Sequence, residues 1–152
     1  AAKTAGEVEK VLNQYALPVG SYRTKREFNT LMINAYAGVG FMGYPDNAFF
    51  RGDFVLSAPI GIERSWAINQ KKNSISLFAP ILDVGNIIDY RISQSENSEE
   101  EIFNFEDVLS PGIYLVYGIS KRFPFSIGVG YQSFPDRYGA FIAFDLPLLR
   151  LN

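Results

Sequence analysis

The sequence predicts an all-β chain: an eight-stranded antiparallel up-and-down transmembrane β-barrel with a short N-terminal helix. Three observations predict it. The stretch 50–66, FRGDFVLSAPIGIERSW, alternates with period two: Phe54, Leu56, Ala58, Ile60 and Ile62 share one face, and Arg51, Asp53, Val55, Ser57, Pro59, Gly61 and Glu63 share the other. Successive strand side chains point to opposite sides, so this is one long strand with an oily and a charged face. Similar alternation recurs along the chain. There is also no run of 18 apolar residues, so any crossing of a bilayer falls to strands, which need about 9–11 residues each at a tilt. A closed barrel with lipid outside and polar groups inside accommodates all three.

Residues 4–15, TAGEVEKVLNQY, read as the helix. Thr4 and Glu7 match a capping box, and Val8, Val11, Leu12 and Tyr15 form one apolar stripe. The chain therefore divides into a periplasmic helical segment, 1–15, and a barrel, 16–152. Residues 16–23, ALPVGSYR, are expected to form the first strand, turning at Thr24-Lys25-Arg26-Glu27. In the next strand Leu31, Ile33, Ala35, Ala37, Val39 and Phe41 face out, and Met32, Asn34, Tyr36, Gly38, Gly40 and Met42 face in. Inward glycines make room in a narrow barrel. Tyr44-Pro45-Asp46-Asn47 turns the chain into the 50–66 strand, and Asn69–Asn73 closes the following loop.

Residues 74–92 carry two alternating runs. Ile75, Leu77, Ala79 and Ile81 are separated from Ile88, Tyr90 and Ile92 by the turn chemistry of Asp83-Val84-Gly85-Asn86. Splitting the segment gives eight strands, the even number expected of single-chain bacterial barrels; one long bulged strand gives seven. Residues 93–101, SQSENSEEE, are an acidic loop. Three strands complete the wall, at 105–120, 125–132 and 139–148. Their outward rows include Ile113, Leu115 and Tyr117, then Ile127 and Val129, then Ala140, Ile142, Phe144, Leu146 and Leu148. The split places YPDN, DVGN and KRFP at the periplasmic end and the acidic loop opposite.

Composition narrows function by exclusion. The formal charge of −2 and pI near 5.2 offer no polybasic footprint for nucleic acid. There is no histidine and no cysteine, which removes Ser-His and Cys-His nucleophiles and the usual nitrogen and sulfur metal ligands. The opening AAKTAGEVEK has neither a charged n-region nor an apolar h-region, and reads as a mature N-terminus or a fragment.

LPVGSYRTKR, SPGIYLVYGI and FIAFDLPL together resemble the uncharacterised barrel domains that end large bacterial envelope proteins. The resemblance spans roughly residues 15–150 and implies an outer-membrane location without implying an activity. The closing LLRLN departs from the terminal aromatic residue on which many outer-membrane barrels end.

Several motifs are weighed on this scaffold. Gly38-Val-Gly-Phe-Met-Gly43 matches a dinucleotide fingerprint, but it lies on an alternating strand with no helix behind it. Ser133, Asp136, Arg137 and Tyr138 fall near a hairpin loop with no base to activate them. The acidic cluster at Glu96 and Glu99–Glu101 lacks the spacing and central glycine of a calcium loop. Asp53 and Glu63, ten residues apart on one strand, are about 33 Å distant, too far for a glycosidase pair.

The expected interior network is Arg51, Asp53, Glu63, Asp89, Arg91 and Asp145, with Tyr36 and Tyr114. Arg51 is expected to pair with Asp53 and Asp145, since an unpaired interior charge is costly. Leu56, Ile60, Ile113, Ile127 and Ile142 are expected to face lipid. Tyr44, Phe50, Trp66, Phe103, Phe123, Phe125, Phe134 and Tyr138 are the candidates for the aromatic rim. The resulting expectation is a non-enzymatic barrel of the Gram-negative outer membrane, an anchor or subunit of an envelope assembly. It needs no metal or cofactor, and its partners are outer-membrane lipids and other envelope proteins, not nucleic acid. The alternatives are a soluble lipocalin-like barrel binding an apolar ligand and a narrow polar pore.

Overall fold

A computed structural model describes residues 21–45, 52–68, 72–85, 108–120, 122–134 and 136–151. The described chain is one short helix, α1 (Tyr22–Glu27), followed by seven strands. These are β1 (Thr30–Gly43), β2 (Gly52–Ser57), β3 (Pro59–Ile68), β4 (Asn73–Asp83), β5 (Gly112–Gly118), β6 (Phe125–Ser133) and β7 (Asp136–Arg150). Every pairing is antiparallel, in the order β2-β1-β3-β4-β5-β6-β7. A long seam between β1 and β7, from Met32 opposite Arg150 to Gly43 opposite Tyr138, closes the sheet on itself.

β2 and β3 lie along the same side of β1. Gly38 faces Ser57 and Ala35 faces Ile60, the same three-residue step on each side, so the two are one line of chain interrupted at Ala58. The interruption has local causes. The Ala58 amide donates to the Asp83 carboxylate at 2.8 Å, its carbonyl accepts from the Val84 amide at 3.1 Å, and Pro59 has no amide hydrogen. The long 50–66 strand of the sequence is therefore present in this broken form, and the barrel closes with six walls: β1, β3, β4, β5, β6 and β7.

The expected count of eight is corrected to six. The expected first strand, 16–23, ends in helix, because Tyr22 and Arg23 begin α1; Thr24–Glu27 is helix too and not a turn. β4 pairs directly with β5, Ser74 opposite Gly118, with a further bridge from Leu82 to Leu109. No second strand from 74–92 stands between them among the described residues. The helix expected at 4–15, the run 86–92 and the acidic stretch 93–101 lie outside the described residues.

The change of count also moves the turns. α1, the β3–β4 turn, the β5–β6 turn and the end of β7 share one end of the barrel, hereafter the helix end. The described residues of KRFP, Arg122–Pro124, belong to that end and not with YPDN. The chain leaves β4 and re-enters at Val108 at the opposite end, which also holds the end of β1 and the β6–β7 hairpin. The acidic stretch is thus flanked by residues of the YPDN end, where the opposite placement was expected.

Alternation along the walls follows the expected faces. Met32, Tyr36, Met42, Phe78, Tyr114, Val116, Phe141 and Ala143 are buried inside, while Ile113, Leu115, Ile127, Val129, Ile142, Phe144, Leu146 and Leu148 are exposed outside. The middle of the lumen is aromatic. Tyr36 meets Phe78 edge-on at 5.0 Å between ring centroids, and Phe141 lies 5.2 Å from Tyr36 and 5.4 Å from Tyr114. Glycine makes this filling possible: a Cβ on Gly128 would sit 2.3 Å from the Phe141 ring, and one on Gly130 2.6 Å from Tyr114.

Candidate functional site: a charged plug in the lumen

At the helix end the lumen holds two carboxylates, Glu63 on β3 and Asp145 on β7, both inward by alternation and both buried. Their counter-charge comes from α1. Lys25 Nζ lies 2.8 Å from Glu63 Oε1, 2.9 Å from Glu63 Oε2 and 2.7 Å from Asp145 Oδ1. It also lies 3.0 Å from the Tyr36 hydroxyl, which donates to Glu63 Oε2 at 2.9 Å. Asn34 donates to Asp145 Oδ1 at 3.1 Å and Ser126 to Asp145 Oδ2 at 3.3 Å. One ammonium thus sits in a cage of oxygens that bridges β3 and β7 in front of β1. Charge-assisted hydrogen bonds of this length are the stronger kind, and in a water-poor site they hold the three groups in one geometry.

Arg26 fixes the same helix to the barrel mouth. Its guanidinium donates to the backbone carbonyls of Phe123 at 2.7 Å and Phe125 at 3.1 Å, across the β5–β6 turn. Its Cζ stands 5.0 Å from the centre of the Tyr22 ring, and the Tyr22 hydroxyl donates to the Arg122 carbonyl at 3.3 Å. Desolvation lowers the Arg26 pKa from its usual value, against the pull of Asp145 and, more weakly, Tyr22, Tyr36 and Glu63. Six residues make a marginal helix in water. What holds α1 is this pair of cations, each buried against oxygens of the barrel.

The opposite end has its own polar layer. Arg137 and Gln132 are buried and joined by an Nε–H···Oε1 hydrogen bond, and buried Asp83 accepts from the Ala58 and Gly85 amides. Between the two polar layers the aromatic cluster leaves the lumen filled.

Four expected interior residues, Glu63, Asp145, Tyr36 and Tyr114, are inside and buried. Asp53 is not: it is exposed on β2, beyond the closed part of the wall. Arg51, Asp89 and Arg91 lie outside the described residues. The cation on Asp145 is Lys25, where Arg51 was expected, and Asp145 belongs to the same end as Glu63. Among the expected lipid-facing residues Leu56, Ile113, Ile127 and Ile142 are exposed and Ile60 is half-buried on the outward row. Tyr44, Trp66, Phe123 and Phe134 are exposed near the ends, Phe125 and Tyr138 are half-buried, and Phe50 and Phe103 lie outside the described residues. Gly38–Gly43 is strand throughout, and no helix follows it among the described residues to receive a phosphate. Ser133 donates to the Pro111 carbonyl at 3.0 Å.

The residues missed by sequence reasoning are Lys25 and Arg26. Charge balance was the available signal: the inward rows of the strands near this end offer Glu63 and Asp145 but no cation, and the nearest basic run is Arg23–Arg26. The chain matches no protein-family model, and neither a curated protein nor a solved structure matches it.

Proposed function

We propose that this chain is a non-enzymatic β-barrel of the bacterial outer membrane, an anchor or subunit of an envelope assembly, with its lumen closed by α1. The observation that carries the proposal is the inside-out distribution of polarity. Outward positions between the two rims are aliphatic or aromatic apart from Arg64 on β3, while buried positions include Lys25, Arg26, Asn34, Glu63, Gln132, Arg137 and Asp145. A soluble carrier with an apolar ligand cavity requires the reverse arrangement. A contiguous apolar exterior of this extent is stable where lipid replaces water. β1 has 14 residues, about 46 Å of strand at about 3.3 Å each, ample for a tilted crossing.

Orientation follows from the connections. The β3–β4 and β5–β6 turns at the helix end are both short, whereas the opposite end holds the long β4–β5 connection beside the short β6–β7 hairpin, and long loops characteristically face the exterior. This reading places α1 and the end of β7 on the periplasmic side.

The test is solubility and insertion. The purified chain is expected to require detergent and to enter phospholipid vesicles with protease-resistant strands. A monodisperse, detergent-free protein that binds an apolar dye inside would establish the carrier instead. In a planar bilayer the plugged barrel is expected to pass no steady current; large unitary conductance would favour the pore.

A further inference from the structure

Among the described residues, the two ends of the barrel carry opposite exposed charge. At the helix end Arg23 on α1, Arg64 on β3, Lys72 beside β4, Arg122 before β6 and Arg150 closing β7 are all exposed. The acidic residues described at that end are Glu63 and Asp145, both buried on Lys25, and the half-buried Glu27. At the opposite end the exposed charged residues among those described are Asp53 and Asp136. The basic residues are spread over α1, β3, the two turns and β7, so they encircle the mouth instead of forming one patch. Arg150 stands where the apolar row of β7 stops, after Leu146 and Leu148, while Arg64 interrupts the outward row of β3 between Ile62 and Trp66. Exposed Trp66 and Phe123 lie at the same level.

We infer that this rim binds the phosphate headgroups of anionic phospholipids in the leaflet facing the helix end. The inference rests on the membrane reading above. Its grounds are charge complementarity and position. A guanidinium offers a fork of donors matched to phosphate oxygens. Long basic side chains at the edge of an apolar belt keep their stems in hydrocarbon and their heads at the headgroup level. Aromatic rings beside them favour the same interface. Basic residues next to an anionic leaflet each gain from its surface potential within a Debye length. The opposite end, with Asp53 and Asp136 exposed, gains nothing there, so the rim also fixes the orientation of the barrel relative to the anionic lipid.

Trp66 makes the inference measurable. It is the chain's single tryptophan, exposed, and two residues from Arg64 on the same outward row. The full chain is reconstituted in phosphatidylcholine vesicles containing equal mole fractions of either dibrominated phosphatidylglycerol or dibrominated phosphatidylcholine. Bromine quenches the indole on contact, so the ratio reports which lipid adjoins the rim. Brominated phosphatidylglycerol is expected to quench roughly twofold more, and the excess to vanish at about 0.5 M salt. The triple substitution Arg64→Gln, Lys72→Gln, Arg122→Gln is expected to abolish the excess at low salt; should that variant not insert, the salt dependence of the unmodified chain decides alone. Equal quenching by the two lipids in the unmodified chain overturns the rim and leaves the membrane reading standing. Absence of quenching by both removes Trp66 from the acyl region and overturns the two together.

Discussion

Lys25 pairs with two carboxylates from β3 and β7, the two walls that flank β1, so its removal leaves Glu63 and Asp145 close together with no counter-charge on that contact. Breaking a buried ion pair by deleting one partner is costly because the remaining charge keeps its desolvation penalty and loses its compensation. Lys25→Met is therefore expected to destabilise the barrel by about 3–5 kcal/mol, measured by urea unfolding in detergent. Removing all three charges together has a different consequence, since neutral isosteres bury without that penalty. The triple variant Lys25→Met, Glu63→Gln, Asp145→Asn is expected to recover more than half of the loss. A triple variant no more stable than Lys25→Met alone would show that the cost lies in packing of the lysine stem and not in charge.

Among the elements, the β1–β7 seam decides whether the sheet is a barrel or an open sheet. Gly38 lies on that seam opposite Ala143, and a Cβ there would meet the Ile142 carbonyl oxygen at 2.1 Å and the Ala143 Cα at 2.5 Å. Both are backbone atoms, so no rotamer change relieves the contact and the strands must part. Gly38→Ala is expected to cost about 1–3 kcal/mol, the range typical of overpacking, and to weaken amide-exchange protection along β1 and β7 before other seams. Uniform loss of protection around the barrel would argue against a special role for this seam. The seam's strands were legible in the sequence because lumen and exterior differ so sharply that alternation survives for twelve residues in Leu31–Met42 and nine in Ala140–Leu148. α1 was not legible: six residues, YRTKRE, are too few to show a helical period, and their cations act through partners 38 and 120 residues away. Reading 16–23 as strand then set the parity wrong. The split of 74–92 restored an even count but reversed the end assigned to every later turn, which is how KRFP came to be placed with YPDN.

At the scale of the whole molecule, the membrane and carrier readings make opposite predictions for one substitution on the outer wall. Ile142 is outward on β7, exposed by 47%, between Val39 on β1 and Ile127 on β6. Its neighbours along the strand's outward row are Ala140 and Phe144, so it stands well inside the apolar rows and away from Asp136 and Arg150 at the rims. In water an exposed isoleucine replaced by arginine changes little, usually within about 0.5 kcal/mol, because the guanidinium is solvated and the lost contacts are few. In a bilayer the same guanidinium must leave water, and an outward arginine near the midplane of a transmembrane barrel costs about 2–4 kcal/mol. Ile142→Arg is therefore expected to lose about 2–4 kcal/mol in reversible unfolding from phospholipid vesicles. Gln132 supplies the control at the lumen. It is buried and bonded to Arg137, so Gln132→Ala should cost about 1–3 kcal/mol by removing a buried, charge-assisted hydrogen bond, whatever surrounds the barrel. A barrel in which Gln132→Ala is costly and Ile142→Arg is silent has water on its outer wall, and the membrane reading fails.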